Sequence, residues 1–94
     1  YSLGEAKLAL GEPAEAIAPI ERALALREAK KLDPLELART KFSLARALMA
    51  AGRDRDRALV LARAAVAEYR TLGPRSDDWL TDAEKWLAKY DRPR

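Results

Sequence analysis

Residues 3–23, LGEAKLALGEPAEAIAPIERA, contain a pattern of small and apolar residues that returns at residues 44–65, LARALMAAGRDRDRALVLARAA. The two copies are offset by 41 or 42 residues, and a third, partial copy begins at Leu87. The equivalent pairs are Leu3 and Leu44, Gly4 and Ala45, Gly11 and Gly52, Ala16 and Ala58, Ile20 and Ala62, and Ala23 and Ala65. A period of this length with helical spacing is typical of helical-hairpin arrays. The sequence therefore predicts an all-α fold of stacked antiparallel helix hairpins.

The composition excludes several classes of active site. The 94 residues are 49% hydrophobic and 35% charged, a balance that favours a folded helical domain over disorder. No His, Cys, Asn or Gln occurs, which excludes zinc sites, Ser–His–Asp nucleophile systems and disulfides. We therefore expect no catalytic residue, no cofactor and no metal, and we predict that the chain is not an enzyme.

The sequence limits the location and the binding partners of the protein less strictly than it limits its chemistry. No apolar run approaches the roughly 18 residues that span a bilayer, and no signal-peptide pattern opens the chain. We therefore expect a cytoplasmic protein without membrane insertion. The net charge of +3 permits an acidic partner without demanding nucleic acid. Because the chain opens with Tyr1, inside an apparent helix, we expect a fragment of a longer protein.

Apolar periodicity predicts five helices, at residues 1–10, 13–32, 34–51, 58–72 and 76–90. Residues 1–32 form a first repeat that lacks its N-terminal part, residues 34–73 a second, and residues 76–90 a capping helix, all within one domain. Pro19 removes a backbone hydrogen bond from the second helix, so a bend or a late start is expected there. The third helix is apolar on two faces, which indicates that it packs between neighbours.

Several residues mark where helices begin and end. Gly11 and Gly52 are expected to adopt left-handed conformations that end a helix. Asp33 and Glu36 have the spacing of a capping box at the start of the third helix, with Pro34 at its first position. Ser76, with Asp77 and Asp78 behind it, is expected to cap the fifth helix, whose dipole also explains the two acidic residues better than a catalytic or metal-binding pair.

The residues described above resemble a known family. Leu3, Gly4, Gly11, Ala16, Ile20 and Ala23 match the signature of the tetratricopeptide repeat, and residues 44–65 match it again with one extra residue in the Arg53–Arg57 turn. Three segments, PAEAIAPIERALALREA (13–29), DPLELARTKFSLARAL (33–48) and the closing WLAKY (86–90), also resemble the C-terminal repeats of bacterial proteins that carry a serine/threonine kinase domain, although no kinase motif occurs here. The resemblance implies a bacterial signalling protein in which this part binds proteins.

In this family the first helix of each repeat lines a concave groove that holds a peptide. The repeat register places these residues in the groove: Arg39, Phe42, Ser43, Arg46, Met49, Lys85 and Lys89. Arg39 and Arg46 lie seven residues apart on one helix face, so both can bind carboxylates of an acidic peptide. The alternative is a set of solvated charges, some paired with Glu36 or Asp82. The family's carboxylate clamp requires Asn, and this chain has none.

Three functions remain open from the residues alone. The first is a module that binds a partner protein or peptide. The second is a structural role, in which the repeats self-associate into a homo-oligomer or regulate another part of the same polypeptide. The third is nucleic-acid binding, which is disfavoured because no basic stripe with interleaved aromatic residues occurs. Trp79 and Trp86 could stack on a ligand, but their spacing on an amphipathic helix favours core and capping contacts.

Overall fold

The computed structural model describes residues 2–30 and 33–91, and the backbone of these two segments forms five α helices and no strand. The helices are α1 (Ser2–Ala9), α2 (Pro13–Lys30), α3 (Pro34–Ala50), α4 (Arg55–Leu72) and α5 (Asp77–Tyr90). A 3₁₀ turn, Pro74–Ser76, precedes α5. The predicted helix ends at Tyr1 and Leu32 and the side chain of Leu3 lie outside the described residues. The all-α prediction is confirmed.

The helices α1 and α3 end in the same way, as their glycines predict. Gly11 has a φ of +77° and Gly52 a φ of +69°, both in the left-handed region. The N–H of Arg53 donates to the carbonyl of Leu48 at 2.9 Å, and the residue after Gly11 makes the equivalent bond at 2.9 Å. These bonds satisfy the last helical carbonyls and reverse the chain within a few residues.

The start of α3 confirms half of the predicted capping box. The side chain of Asp33 accepts a hydrogen bond from the N–H of Leu35 at 3.0 Å, and Pro34 occupies the first helical position. Glu36 does not complete the box, because its carboxylate instead accepts from the guanidinium of Arg27 at 3.1 Å and from that of Arg39 at 2.9 Å. Charge-assisted bonds of this kind are stronger than a bond to a neutral backbone N–H.

The prediction that the Ser76 side chain caps α5 is wrong, because its hydroxyl binds the end of α4 instead. Its hydroxyl makes no capping bond to α5, and its Oγ lies 2.6 Å from the carbonyl oxygen of Tyr69 and 2.9 Å from that of Gly73. Ser76 is fully buried, so the carbonyls at the end of α4 compete successfully for its proton. The acidic first turn of α5, Asp77 and Asp78, lies where the sequence places it.

Helix α2 begins at Pro13 and continues through Pro19 to Lys30, so a late start is wrong. It packs against α1, where Lys7 lies 3.2 Å from Glu12 and from Glu15. Hydrogen bonds to Glu15 and then Glu12 raise the pKa of Lys7 above its usual 10.5.

Helix α3 packs between α2 and α4, as its two apolar faces predict. One core cluster joins α2, α3 and α4, and a second joins α3, α4 and α5. Ala16, Ala58 and Ala65 are fully buried, which lets the helix backbones approach closely. The large residues around them include Ile20, Leu24, Leu44, Leu48, Val66 and Tyr69.

Alternate helices are also neighbours, which makes the fold a hairpin array. Arg39 of α3 contacts Trp79 of α5, and Phe42 contacts Trp86, so α3 and α5 run in the same direction side by side. An ion pair between Glu21 and Arg57 joins α2 to α4. The helices therefore form two layers, with α3 and α5 on one side and α2 and α4 on the other. Within the described ranges, no helix combines the length and apolar character needed to cross a bilayer.

Candidate binding groove

A cavity of about 230 Å³ lies between α3 and α5, and we call it the α3–α5 cavity. Its lining combines two guanidinium groups, three aromatic rings, a hydroxyl and a carboxylate. The lining residues are Arg39, Phe42, Ser43, Arg46, Tyr69, Trp79 and Asp82. The cavity is smaller than the roughly 300–1,000 Å³ of most small-molecule sites. Its size suits one or two side chains of a polypeptide.

Four of the seven residues predicted to line the groove come together in this cavity. Positions 39, 42, 43 and 46 follow the i, i+3, i+4, i+7 spacing that places residues on one face of a helix. The Asp33 cap fixes where α3 begins, and burial of Leu44 and Leu48 against the core turns the opposite face of α3 toward α5. Helical periodicity puts the four residues on one face, and the repeat register is what assigned that face to the groove.

The other three predicted residues do not line the α3–α5 cavity. Met49 borders a separate cavity near the turn between α3 and α4. Lys85 and Lys89 lie one and two helical turns beyond Asp82, so α5 carries them past the cavity. The ammonium group of Lys89 lies 5.2 Å from the centre of the Tyr90 ring. The repeat register identifies a helix face correctly but does not say how far along the axis a cavity extends.

Sequence reasoning did not place Tyr69, Trp79 and Asp82 in the site. Tyr69 belongs to the buried stripe of α4 and is 1% exposed, but its side chain forms the floor of the cavity. Trp79 was assigned to the core and cap, and it is half-buried against the cavity. A signal for Asp82 was present, because the 43-residue offset that relates Leu44 to Leu87 also relates Arg39 to Asp82.

Arg39 is held in place on two sides. Its Nη1 donates to Oε1 of Glu36 at 2.9 Å, and its guanidinium carbon lies 5.2 Å from the centre of the Trp79 ring. Glu36 also accepts from Arg27 of α2, so one carboxylate serves two guanidinium groups. The charge of Arg39 is therefore partly satisfied within the protein, and the stacking on Trp79 orients its remaining donors.

Arg46 and Asp82 have no such partner. The guanidinium carbon of Arg46 lies 6.0 Å from the centre of the Phe42 ring, and the side chain is exposed. Across residues 2–30 and 33–91, neither Arg46 nor Asp82 forms an ion pair. The cavity thus presents one uncompensated cation on α3 and one uncompensated anion on α5.

Three aromatic rings of α3 and α5 pack against one another next to the cavity. The Phe42 and Trp86 rings meet edge to face, with centroids 5.7 Å apart and an interplanar angle of 84°. The Trp86 and Tyr90 centroids are 4.8 Å apart. Edge-to-face contacts of this kind fix ring orientation. Trp86 therefore packs against Phe42, which lines the cavity, while Trp79 lines the cavity itself.

The arrangement is suited to recognition. Guanidinium groups stacked on aromatic rings bind carboxylates through paired, charge-assisted hydrogen bonds. In the described part of the chain, no three Asp or Glu side chains lie close enough together to hold a metal ion.

Comparisons of this chain with protein-family models, with curated proteins and with solved structures return no match.

Proposed function

We propose that this chain is a protein–protein interaction module whose α3–α5 cavity binds a segment of a partner protein. The observation that carries the proposal is the convergence of Arg39, Arg46 and Trp79 on one cavity of side-chain size. Arg and Trp are among the residue types that contribute most binding energy at protein interfaces.

The resemblance to the tetratricopeptide repeat supports the same proposal, because members of that family bind peptides on the layer formed by the first helix of each repeat. The proposed repeat register assigns α3 and α5 to that layer. We further propose a cytoplasmic, bacterial signalling protein in which this part is not an enzyme and recruits a partner or substrate. The resemblance of residues 13–29, 33–48 and 86–90 to kinase-associated repeats supports this extension.

A capture experiment tests the proposal. The chain is used as bait in lysate of its source cell, in parallel with an Arg46→Glu variant and an Arg22→Glu control. Arg22 lies on the exposed face of α2, outside the α3–α5 cavity. We expect a protein captured by the native chain and by Arg22→Glu, and lost with Arg46→Glu, with all three proteins equally helical by circular dichroism. Capture that is unchanged by Arg46→Glu would show that binding lies on another surface.

A structural role is the second candidate, and exposed apolar side chains favour it. Leu10 is 74% exposed, and Leu26 and Val60 are each 60% exposed. Exposed apolar area of this kind promotes association. In that case the mass from light scattering rises with concentration, and Leu26→Glu or Val60→Glu abolishes the rise. A constant monomer mass up to high concentration would contradict self-association.

A further inference from the structure

We propose that the α3–α5 cavity selects a partner segment that carries one acidic and one basic side chain, with the acid bound by Arg46 and the base by Asp82. This inference rests on the proposed function and names the chemistry of the partner. A segment of mixed charge differs from the purely acidic peptide that the two arginines alone would predict.

The first step is that Arg39 contributes less net charge than its position suggests. The Glu36 carboxylate lies 2.9 Å from the guanidinium of Arg39. Arg27 also binds Glu36, and the Trp79 ring stacks against Arg39. Because Glu36 already compensates part of the charge of Arg39, an incoming carboxylate gains less there than at a guanidinium without an ion pair. Arg39 therefore acts mainly as a wall of the cavity, and the acid of the partner binds elsewhere.

The second step is that Arg46 is the cation available for that acid. It makes no ion pair with any described residue, and its guanidinium lies over the face of Phe42. An aromatic face on one side removes part of its hydration and leaves its N–H groups directed outward. A carboxylate of the partner can then accept two parallel hydrogen bonds from it.

The third step is that Asp82 places a negative charge on the opposite wall. Charges within about 8 Å of each other are not fully screened at physiological ionic strength. A partner that carries only negative charge is therefore attracted by Arg46 and repelled by Asp82. A nearby Lys or Arg of the partner converts this repulsion into a second ion pair.

The register of the two helices sets the spacing of these charges. Arg39 lies level with Trp79 and Phe42 with Trp86, so Asp82 lies between those two levels. Arg46 lies about one helical turn beyond Phe42. The two charges are therefore offset by about one to two helical turns along the axis, so the acid and base of a helical partner should be about four to seven residues apart, spacings that keep both side chains on one helix face.

Selection from a random library tests this charge pattern without knowledge of the partner. Twelve-residue random peptides displayed on phage are selected against the native chain, Arg46→Glu and Asp82→Lys. We expect peptides enriched on the native chain to carry an acidic and a basic residue at a recurring spacing. Arg46→Glu should remove the preference for the acid, and Asp82→Lys should remove the preference for the base.

Matched controls and synthetic peptides sharpen the result. Arg22→Glu and Glu28→Lys make the same charge changes on exposed positions of α2 and should select the native pattern. In a peptide from the native pool, replacing either the acid or the base with Gln should weaken binding by about tenfold.

The outcomes separate this inference from the proposed function. Enrichment of acidic peptides without a basic residue would overturn the inference and leave the proposed function intact. No enrichment above an unrelated helical protein would overturn both. A mass that rises with concentration and is reduced to that of a monomer by Arg46→Glu would place a second copy of this chain in the cavity, and would overturn the assignment to a partner protein.

Discussion

The buried hydroxyl of Ser76 joins the end of α4 to the start of α5. Its Oγ lies 2.6 Å from the carbonyl oxygen of Tyr69. We expect Ser76→Ala to lower the free energy of unfolding by about 1–2 kcal/mol, because a buried acceptor loses its donor and cannot reach water. Urea denaturation followed by circular dichroism measures the change.

Thr71→Ala is the matched control for that substitution. The hydroxyl of Thr71 also donates to a backbone carbonyl, that of Glu68 at 2.8 Å, but at an exposed site. Water replaces the hydroxyl there, so the change should stay within about 0.5 kcal/mol. Equal losses in the two variants would show that burial of Ser76 does not matter.

At the scale of an element, Gly52 ends α3 with a φ of +69°, and a Cβ built on it has no atom within 4 Å. Gly52→Ala should therefore lower the free energy of unfolding by about 1–2 kcal/mol through backbone conformation alone. Gly52→Asn should lose less, because Asn tolerates the left-handed region better. Thermal unfolding compares the two variants, and an equal loss would contradict a conformational cause.

The contact between α3 and α4 includes an ion pair of Lys41 and Glu68, 2.5 Å apart, with side chains 18% and 29% exposed. The second carboxylate oxygen of Glu68 is buried without a hydrogen-bond partner among the described residues. Lys41→Met should lower the free energy of unfolding by about 1–3 kcal/mol, because it leaves the carboxylate uncompensated.

The double variant Lys41→Met/Glu68→Leu should recover most of that loss, since two apolar side chains replace a partly desolvated pair. A double-mutant cycle in urea measures the coupling between the two positions. If the double variant were less stable than Lys41→Met alone, the ion pair would not be the cause of the loss.

The helices themselves were predictable from the sequence, because glycine caps and apolar periodicity act within a few residues. Glu36 and Ser76 show where such local reasoning stops. Each has the correct spacing for a cap, yet Glu36 binds a guanidinium nine residues away, and Ser76 binds a carbonyl seven residues before it. Competing partners of this kind become visible only when neighbouring helices are in place.

At the scale of the whole molecule, α1 and α3 differ in how they are held. Helix α1 packs mainly against α2, whereas α3 packs between α2 and α4 and contributes to both core clusters. In an array, such differences produce local opening at the less supported end. We expect amides of α1 to exchange through openings at least about 2 kcal/mol lower in free energy than those of α3.

Native-state hydrogen exchange at low denaturant measures both openings. Helix α5 also lies at an end of the array, but its amides should be better protected from hydrogen exchange than those of α1. Arg55 donates to the carbonyl of Tyr90 at 3.0 Å, and Arg63 binds Asp91 at 2.9 and 2.6 Å. Equal protection of α1 and α3 would contradict an array with graded stability.

The same scale explains how far the candidate site could be predicted. The face of α3 that carries Arg39 and Arg46 follows from its own sequence. The floor at Tyr69 comes from a different hairpin layer, and the exclusion of Lys85 and Lys89 depends on where α5 passes α3. These properties depend on the relative positions of helices, which periodicity within one helix does not encode.

The turn between α4 and α5 determines more than where a helix begins. Ser76 binds the carbonyl of Tyr69, a residue that lines the cavity, immediately before α5 brings Trp79 and Asp82 to the same cavity. One residue added between Leu72 and Asp77 would separate this bond from the start of α5 and let α5 rotate or slide over the same floor. Evolution can therefore rewrite what this array recognises by changing the length of a connection, while every residue that now lines the cavity is retained.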